Sequence, residues 1–213
     1  MASGSNLEKL FAGSGKVHTN NFDSIVTVNW NRSNYERIVA KLDNIINKTT
    51  IRKMIERAAK RAADAGVKAT KTEIASDTTL KPAQIGNSIK AYAHGSALGM
   101  AVGVKISDTA RPLSDFAFDP KKPKPKTAPT IEVYKGNKTK LSKGAFVAKM
   151  KTGHVGIYER EAEHALPIRQ LPGPSVTGLF TANERAHTAV QDVIWDKFEE
   201  RIEHELDYIL GGK

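Results

Sequence analysis

The sequence predicts an α+β fold: a small antiparallel sheet carrying a β-hairpin, a long N-terminal amphipathic helix or helix pair, and a long C-terminal helix. Three observations carry that prediction. Tyr35, Ile38, Val39, Leu42, Ile45 and Ile46 recur at the spacing of one helical face. Val190, Ile194, Phe198, Ile202, Leu206 and Ile209 repeat such a stripe near the end of the chain. Between them, residues 145–150 and 154–159 are short apolar runs joined by Lys151-Thr152-Gly153, where Gly can take the positive φ of a tight hairpin loop.

Length and composition bound what these elements can build. With 213 residues and 39% hydrophobic content, the chain can bury one ordinary core. Residues 22–210 are expected to form that single domain, after a flexible arm at 1–21 and before a short tail at 211–213. No apolar run approaches the roughly 20 residues of a membrane-spanning helix. Residues 1–16 also lack the basic start and apolar centre of a secretory signal, so a soluble, unprocessed protein with no membrane partner is expected. The absence of Cys excludes disulfides, thiolate metal sites and Cys nucleophiles together. The net charge of +10 is uneven: between Arg111 and Lys151, 11 Lys or Arg face 3 acids, whereas from Glu184 onward 8 acids face 4 bases. The middle suits a polyanion and the end suits a basic protein surface.

In chain order, residues 1–21 are rich in Gly, Ser and Asn, with few anchors. Gly13-Ser14-Gly15-Lys16 superficially offers a phosphate loop, but Leu10 stands where its first Gly belongs and Val17 where its hydroxyl belongs. Val26, Val28 and Trp30 alternate as a strand. Asn31-Arg32-Ser33 provides an N-cap for the first helical stripe. The periodicity resumes at Ile51, Met54, Ile55, Ala58, Ala59 and Ala62 and is expected to end at Gly66 as a C-cap, giving one bent helix or a pair. Arg52, Lys53, Arg57, Lys60 and Arg61 share its outer face, as a phosphate-binding or simply solvated surface.

Residues 70–90 hold two short helical signals that mimic a helix-turn-helix, but Gly86 falls inside the would-be recognition helix and only Lys81 and Lys90 are basic. Ala101, Val102 and Val104 read as a strand. Residues 119–130 form an extended, self-repelling Pro/Lys loop in which Lys121, Lys122, Lys124 and Lys126 could neutralise phosphates or meet a partner without reading sequence. Ile131-Glu132-Val133-Tyr134 is a further strand leading to the hairpin. On the hairpin, Phe146, Ala148 and Met150 alternate with Val147, Lys149 and Lys151, predicting one apolar and one basic face. Prolines then exclude helix through residue 174, and Gly178 and Thr181 mark the start of the terminal helix.

No constellation points to catalysis, a metal or a cofactor. The His residues stand in no HExxH or HxH arrangement, and neither Ser14 nor Ser175 sits in a nucleophile elbow. Glu159, Glu161 and Glu163 reach His154 and His164 only if the loop folds back.

Taken in order, Gly144-Ala145-Phe146-Val147-Ala148-Lys149-Met150, Gly153-His154-Val155-Gly156-Ile157-Tyr158-Glu159-Arg160, Leu166-Pro167-Ile168 and Gly173-Pro174-Ser175 resemble the phage and prophage minor tail protein Z family, the tail completion or neck proteins. The basic helices, residues 111–116 and the C-terminal helix agree with that family in order and kind; residues 1–30 do not match. The resemblance implies a non-enzymatic virion protein, assembled in the host cytoplasm into a ring, commonly sixfold, around the DNA channel. Its implied partners are copies of itself, the terminator, head-completion or tube proteins, and the passing DNA. It implies that Phe146, Gly153, His154, Gly156, Arg160, Pro167, Ile168, Gly173 and Pro174 hold the fold and subunit contacts. In that scheme Phe146 and Ile168 are core types, the glycines serve backbone geometry, and Arg160 makes an ion pair across subunits or within the chain. Two other readings stay open: a sequence-nonspecific DNA-binding protein using the Pro/Lys loop, and a tail terminator or tube subunit.

Overall fold

The computed structural model describes residues 14–19, 23–31, 47–96, 99–124, 127–161, 164 and 166–209. The chain opens with strands β1 (Ser14–Thr19) and β2 (Asp23–Asn31), then helices α1 (Lys48–Asp77) and α2 (Pro82–Gly86). Strands β3 (Ile89–Ser96), β4 (Gly99–Ser107), β5 (Arg111–Pro112), β6 (Ala117–Asp119), β7 (Thr130–Glu132) and β8 (Lys138–Lys140) follow. The hairpin is β9 (Ala145–Lys149) and β10 (Val155–Arg160), succeeded by β11 (Ile168–Gln170), β12 (Pro172–Gly173), α3 (Val176–Thr181) and α4 (Glu184–Ile209). The fold is α+β, and every strand pairing among the described residues is antiparallel. Where one core was expected, the chain divides into two compact units: Met1–Thr70 with Ile89–Ser107 and Asn183–Lys213, and Lys71–Ser88 with Asp108–Ala182. Among the described residues no helix is long and apolar enough to cross a membrane.

The first unit contains a four-stranded sheet, ordered β1-β2-β4-β3, with α4 against β2 and β4, and α1 as far as Thr70, whose Gly66 lies beside Val104 of β4. Period-two alternation puts Val102, Val104 and Ile106 of β4 on the buried face, and Val26 of β2 is buried too. Part of the expected flexible arm is ordered here, since Ser14–Thr19 pairs with Ser24 to Asn29 of β2. Tertiary pairing supplies what local composition withheld. The predicted stripe of α4 holds, with Val190, Ile194, Phe198 and Ile202 buried. The stripe at residues 35–46 lies outside the described residues. Helix α1 starts where Asn47 Oδ1 accepts the Thr50 N–H at 2.8 Å, an N-cap the periodicity alone did not reveal.

Gly66 does not end that helix. Helix α1 runs on to Asp77, and a Cβ on Gly66 would lie 2.6 Å from Ile194 Cγ1 and 2.9 Å from Val104 Cγ2. The missing side chain therefore lets α4 and β4 approach α1, a packing role rather than a capping one. Gly66→Ala gains about 1 kcal/mol of helix propensity but overpacks a filled core at about 1–3 kcal/mol. A net loss of up to roughly 2 kcal/mol is expected, read by urea denaturation; a gain would mean that Ile194 simply rotates aside.

The basic face of α1 is exposed, but Arg52 pairs with Glu56 at 2.9 Å and Arg57 pairs with Glu205 of α4, so part of it is already committed. On α4, the hydrogen bond from Lys197 holds the Glu200 carboxyl below its usual range. A depressed carboxylate stabilises above its unfolded pKa, about 4.3, and that contribution disappears as pH falls through the lower folded value.

The second unit contains three small sheets, β6-β7-β8, β11-β10-β9 and β12-β5. Its core gathers Leu80, Ile85, Phe116, Ile131, Ala145, Val147, Ile157, Val176, Leu179 and Phe180. The would-be recognition helix is α2, barely more than one turn and ending at Gly86. At the centre of this unit stands Arg111. Its Nε donates to Asp108 Oδ2 at 2.7 Å, Nη1 to Asp115 Oδ2 at 3.4 Å, and Nη2 to Gln84 O at 2.9 Å and Ser88 Oγ at 3.0 Å. Asp108 Oδ2 also accepts the Val176 N–H at 3.1 Å, placing a carboxylate at the first turn of α3.

The expected start of the terminal helix near Gly178 divides into two starts. Ser175 Oγ accepts the Gly178 N–H at 3.0 Å and caps α3, whereas Asn183 Oδ1 accepts the Ala186 N–H at 3.0 Å and starts α4. Both are ordinary N-cap residues, and each satisfies an N–H that the helix itself cannot.

Candidate interaction surface

The hairpin forms in the register its loop dictates. Gly153 has φ +86°, and a Cβ there would meet nothing within 4 Å, so only its backbone conformation restricts the position. Gly153 N–H donates to Met150 O and Met150 N–H to His154 O, each at 2.8 Å, closing the loop. Val147 then stands opposite Ile157 and Phe146 opposite Tyr158.

The two faces differ from the sequence expectation. Ala145 and Val147, on the face predicted to be basic, are buried with Ile157, whereas Phe146 and Ala148 are only half-buried. The alternation has the right period and the wrong inward side. On its own face Phe146 meets the directly opposed Tyr158 at 6.5 Å between ring centroids, and the Arg160 guanidinium sits 5.3 Å from the Phe146 centroid. Phe146 is thus a cover for the sheet rather than core, and Arg160 makes this cation–π contact with no ion pair among the described residues.

The other motif residues also have definite places. A Cβ on Gly156 would lie 2.8 Å from the Tyr158 ring, so Gly156 makes room for that ring. Gly173 stands opposite Arg111, where a Cβ would meet Leu113 Cδ2 at 2.9 Å and Phe116 Cε2 at 3.1 Å. Both glycines serve space, and of the three motif glycines only Gly153 serves a positive φ. His154 is exposed with Nε2 3.3 Å from Gln170 Nε2, and Glu159 accepts from the directly opposed Arg169 at 3.0 Å. These neighbours occupy two of the groups considered for a metal. Pro167 is exposed and its carbonyl accepts the Glu161 N–H at 3.2 Å; Ile168, half-buried rather than core, faces Arg160; half-buried Pro174 precedes the Ser175 cap.

In the Pro/Lys loop, Lys121 lies 3.9 Å over the Phe118 ring, and Lys122 and Lys124 are exposed; Lys126 is outside the described residues. The sheet adds cations that loop composition did not single out. Lys138 and Lys140 of β8 are exposed and, two residues apart, share one side of the strand. Lys143 follows, also exposed. None of these lysines pairs with a carboxylate among the described residues, while Glu132 turns its Oε1 to the Gly136 N–H at 2.7 Å. The signal was present in sequence as local charge excess, but only strand pairing shows that loop and strand belong to one surface.

Between this basic segment and the hairpin lies an open groove of about 1380 Å³, lined by Pro123, Lys124, Thr127 and Ala128, by residues 140–147 and by residues 159–161. Leu141, Ala145, Phe146 and Val147 supply apolar lining, and Lys124, Lys140, Lys143 and Arg160 supply positive charge. The second unit therefore joins an aromatic-capped sheet to an excess of ammonium groups that pair with no carboxylate among the described residues, which suits contact with an anionic macromolecule. No protein-family model, curated protein or solved structure matches the chain.

Proposed function

We propose that the chain is a non-enzymatic structural subunit of the virion of a long-tailed phage, a tail completion or neck protein that assembles, as a sixfold ring by family resemblance, around the DNA channel at the head-proximal end of the tail. The observation that carries this reading is the ordered motif at residues 144–175. Its parts fall on one connected piece of scaffold: the β9-β10 hairpin, β11, the Gly173 crossing and the Ser175 cap of α3. A constellation whose residues shape a sheet suits a protein whose work is assembly. Terminator, head-completion or tube proteins are the proposed neighbours, and assembly takes place in the host cytoplasm.

Electron micrographs of tails made without this protein should show tails that fail to join heads, and adding the purified chain should restore joining with a ring at the tail's upper end. Normal particles in its absence would remove the neck reading, and tails of the wrong length would favour a terminator or tube subunit.

The exposed lysines, which pair with no carboxylate among the described residues, favour a second reading as a sequence-nonspecific DNA-binding protein. In that case duplex DNA binding should weaken steeply with salt. Lys121→Gln, Lys122→Gln and Lys124→Gln together should lower the slope of log K against log salt by about 0.9 for each phosphate that is no longer neutralised. An unchanged slope would place any DNA-binding surface elsewhere.

A further inference from the structure

We infer that the groove beside β9 takes an extended acidic peptide segment of a partner protein, added to the sheet as a strand next to β9. This goes beyond the virion reading and rests on the geometry and charge of the groove.

Strand parity identifies the free edge. Met150 N–H bonds back to His154 O, and in the same register Ala148 faces Gly156 and Phe146 faces Tyr158. Antiparallel strands alternate hydrogen-bonded and non-bonded pairs, so Phe146 and Ala148 turn their N–H and C=O groups toward β10. Ala145, Val147 and Lys149 turn theirs the other way. The pattern on the far side of β10 agrees, since Ile157 O accepts the Leu171 N–H at 2.9 Å. Ser142 O accepts the Ala145 N–H at 3.0 Å. The Val147 N–H and the carbonyls of Ala145 and Val147 are left facing outward, and β9 is the last strand of its sheet among the described residues. An edge of this kind is a template for strand addition.

Charge selects the occupant. Lys124, Lys140, Lys143 and Arg160 line the groove, against Glu159 and Glu161. Glu159 is already engaged by Arg169 at 3.0 Å, so the balance is positive. A peptide with alternating acidic and apolar residues meets both needs: its backbone pairs with β9, its acids reach the lysines, and its apolar side chains, all on one face, lie beside half-buried Phe146. A nucleic acid strand fits less well, because it supplies negative charge but no alternating N–H and C=O groups to pair with the edge of β9.

Hydrogen exchange of the full chain tests this with the peptide Ser-Glu-Val-Glu-Ile-Asp-Ser as probe, against Ser-Lys-Val-Lys-Ile-Lys-Ser and an oligothymidine of eight nucleotides. The acidic peptide should slow exchange in residues 145–149 at least tenfold at saturation, and the basic peptide should bind at least tenfold more weakly. Lys140→Glu with Lys143→Glu, both exposed and expected to leave the fold intact, should cut affinity for the acidic peptide at least tenfold. Unchanged exchange at residues 145–149 with the acidic peptide, equal binding of both peptides, or protection by the oligothymidine alone would each overturn the inference.

Discussion

Gly103→Ala is expected to destabilise the first unit by about 3 kcal/mol or more, beyond the ordinary overpacking range. Gly103 lies in β4 between Thr27 of β2 and Tyr92 of β3. A Cβ there would stand 1.8 Å from Val26 O, 2.8 Å from Val26 C and 2.9 Å from Thr27 Cα. All three are main-chain atoms of a paired strand, so no side-chain rotation relieves the clash. β2 must move, and with it the buried Val26. Replacing Gly within a strand recovers only about 0.5–1 kcal/mol of conformational entropy, which does not offset this. Both Trp residues, Trp30 and Trp195, belong to the first unit. Trp fluorescence in urea therefore reports on it, and the midpoint should fall by about 1–2 M if m is near 2 kcal/mol/M. An unshifted midpoint would show that β2 tolerates the displacement.

Arg111→Met should cost the second unit about 3 kcal/mol, the scale of breaking a largely buried ion pair by removing one partner. The Arg111 side chain is 15% exposed and Asp108 is 14% exposed, so water replaces little of what is removed. Asp115, at 30%, is partly screened and contributes less. Gln84 O and Ser88 Oγ are deprived of their donor as well. Arg111→Lys should recover less than half of the stability, because an ammonium cannot span Asp108, Gln84 and Ser88 with one rigid fork. Amide exchange across residues 108–182 provides the readout. If the Met variant protects these amides as well as the parent does, Arg111 does not hold β5, α2 and the start of α3 together.

The interaction surface depends on that centre. Arg111 is bonded to Asp108, whose carboxylate meets the first turn of α3, and it pairs in β5 with Gly173 of β12, just after β11 and the hairpin. Removing Arg111 should therefore loosen the motif residues before it affects the exposed lysines, which rest on solvation rather than packing.

Much of the fold could be read from residue order. Period-3.6 stripes placed α4 and the buried face of α1, and the Gly153 loop placed the β9-β10 hairpin, because these depend on interactions within a few residues. The Lys excess marked the basic segment, since net charge needs no fold to be counted. Composition misjudged β1, whose polar residues are ordered by pairing with β2. It also misjudged Gly66, Gly156 and Gly173. A glycine needed for φ and a glycine needed for space look alike in sequence, and only the neighbouring Ile194, Tyr158 or Leu113 distinguishes them.

By itself, the sequence determined the α+β class, the helical stripes of α1 and α4, the hairpin loop and where positive charge concentrates. Tertiary structure decided which face of β9 is inward, the division into two units, the Arg111 centre, the partnership of β8 lysines with the Pro/Lys loop, and the free edge along the groove. The physical reason is range. Periodicity and turn chemistry act over a few residues, whereas burial, ion pairing and strand edges depend on partners far away in the chain, whose positions no local pattern encodes.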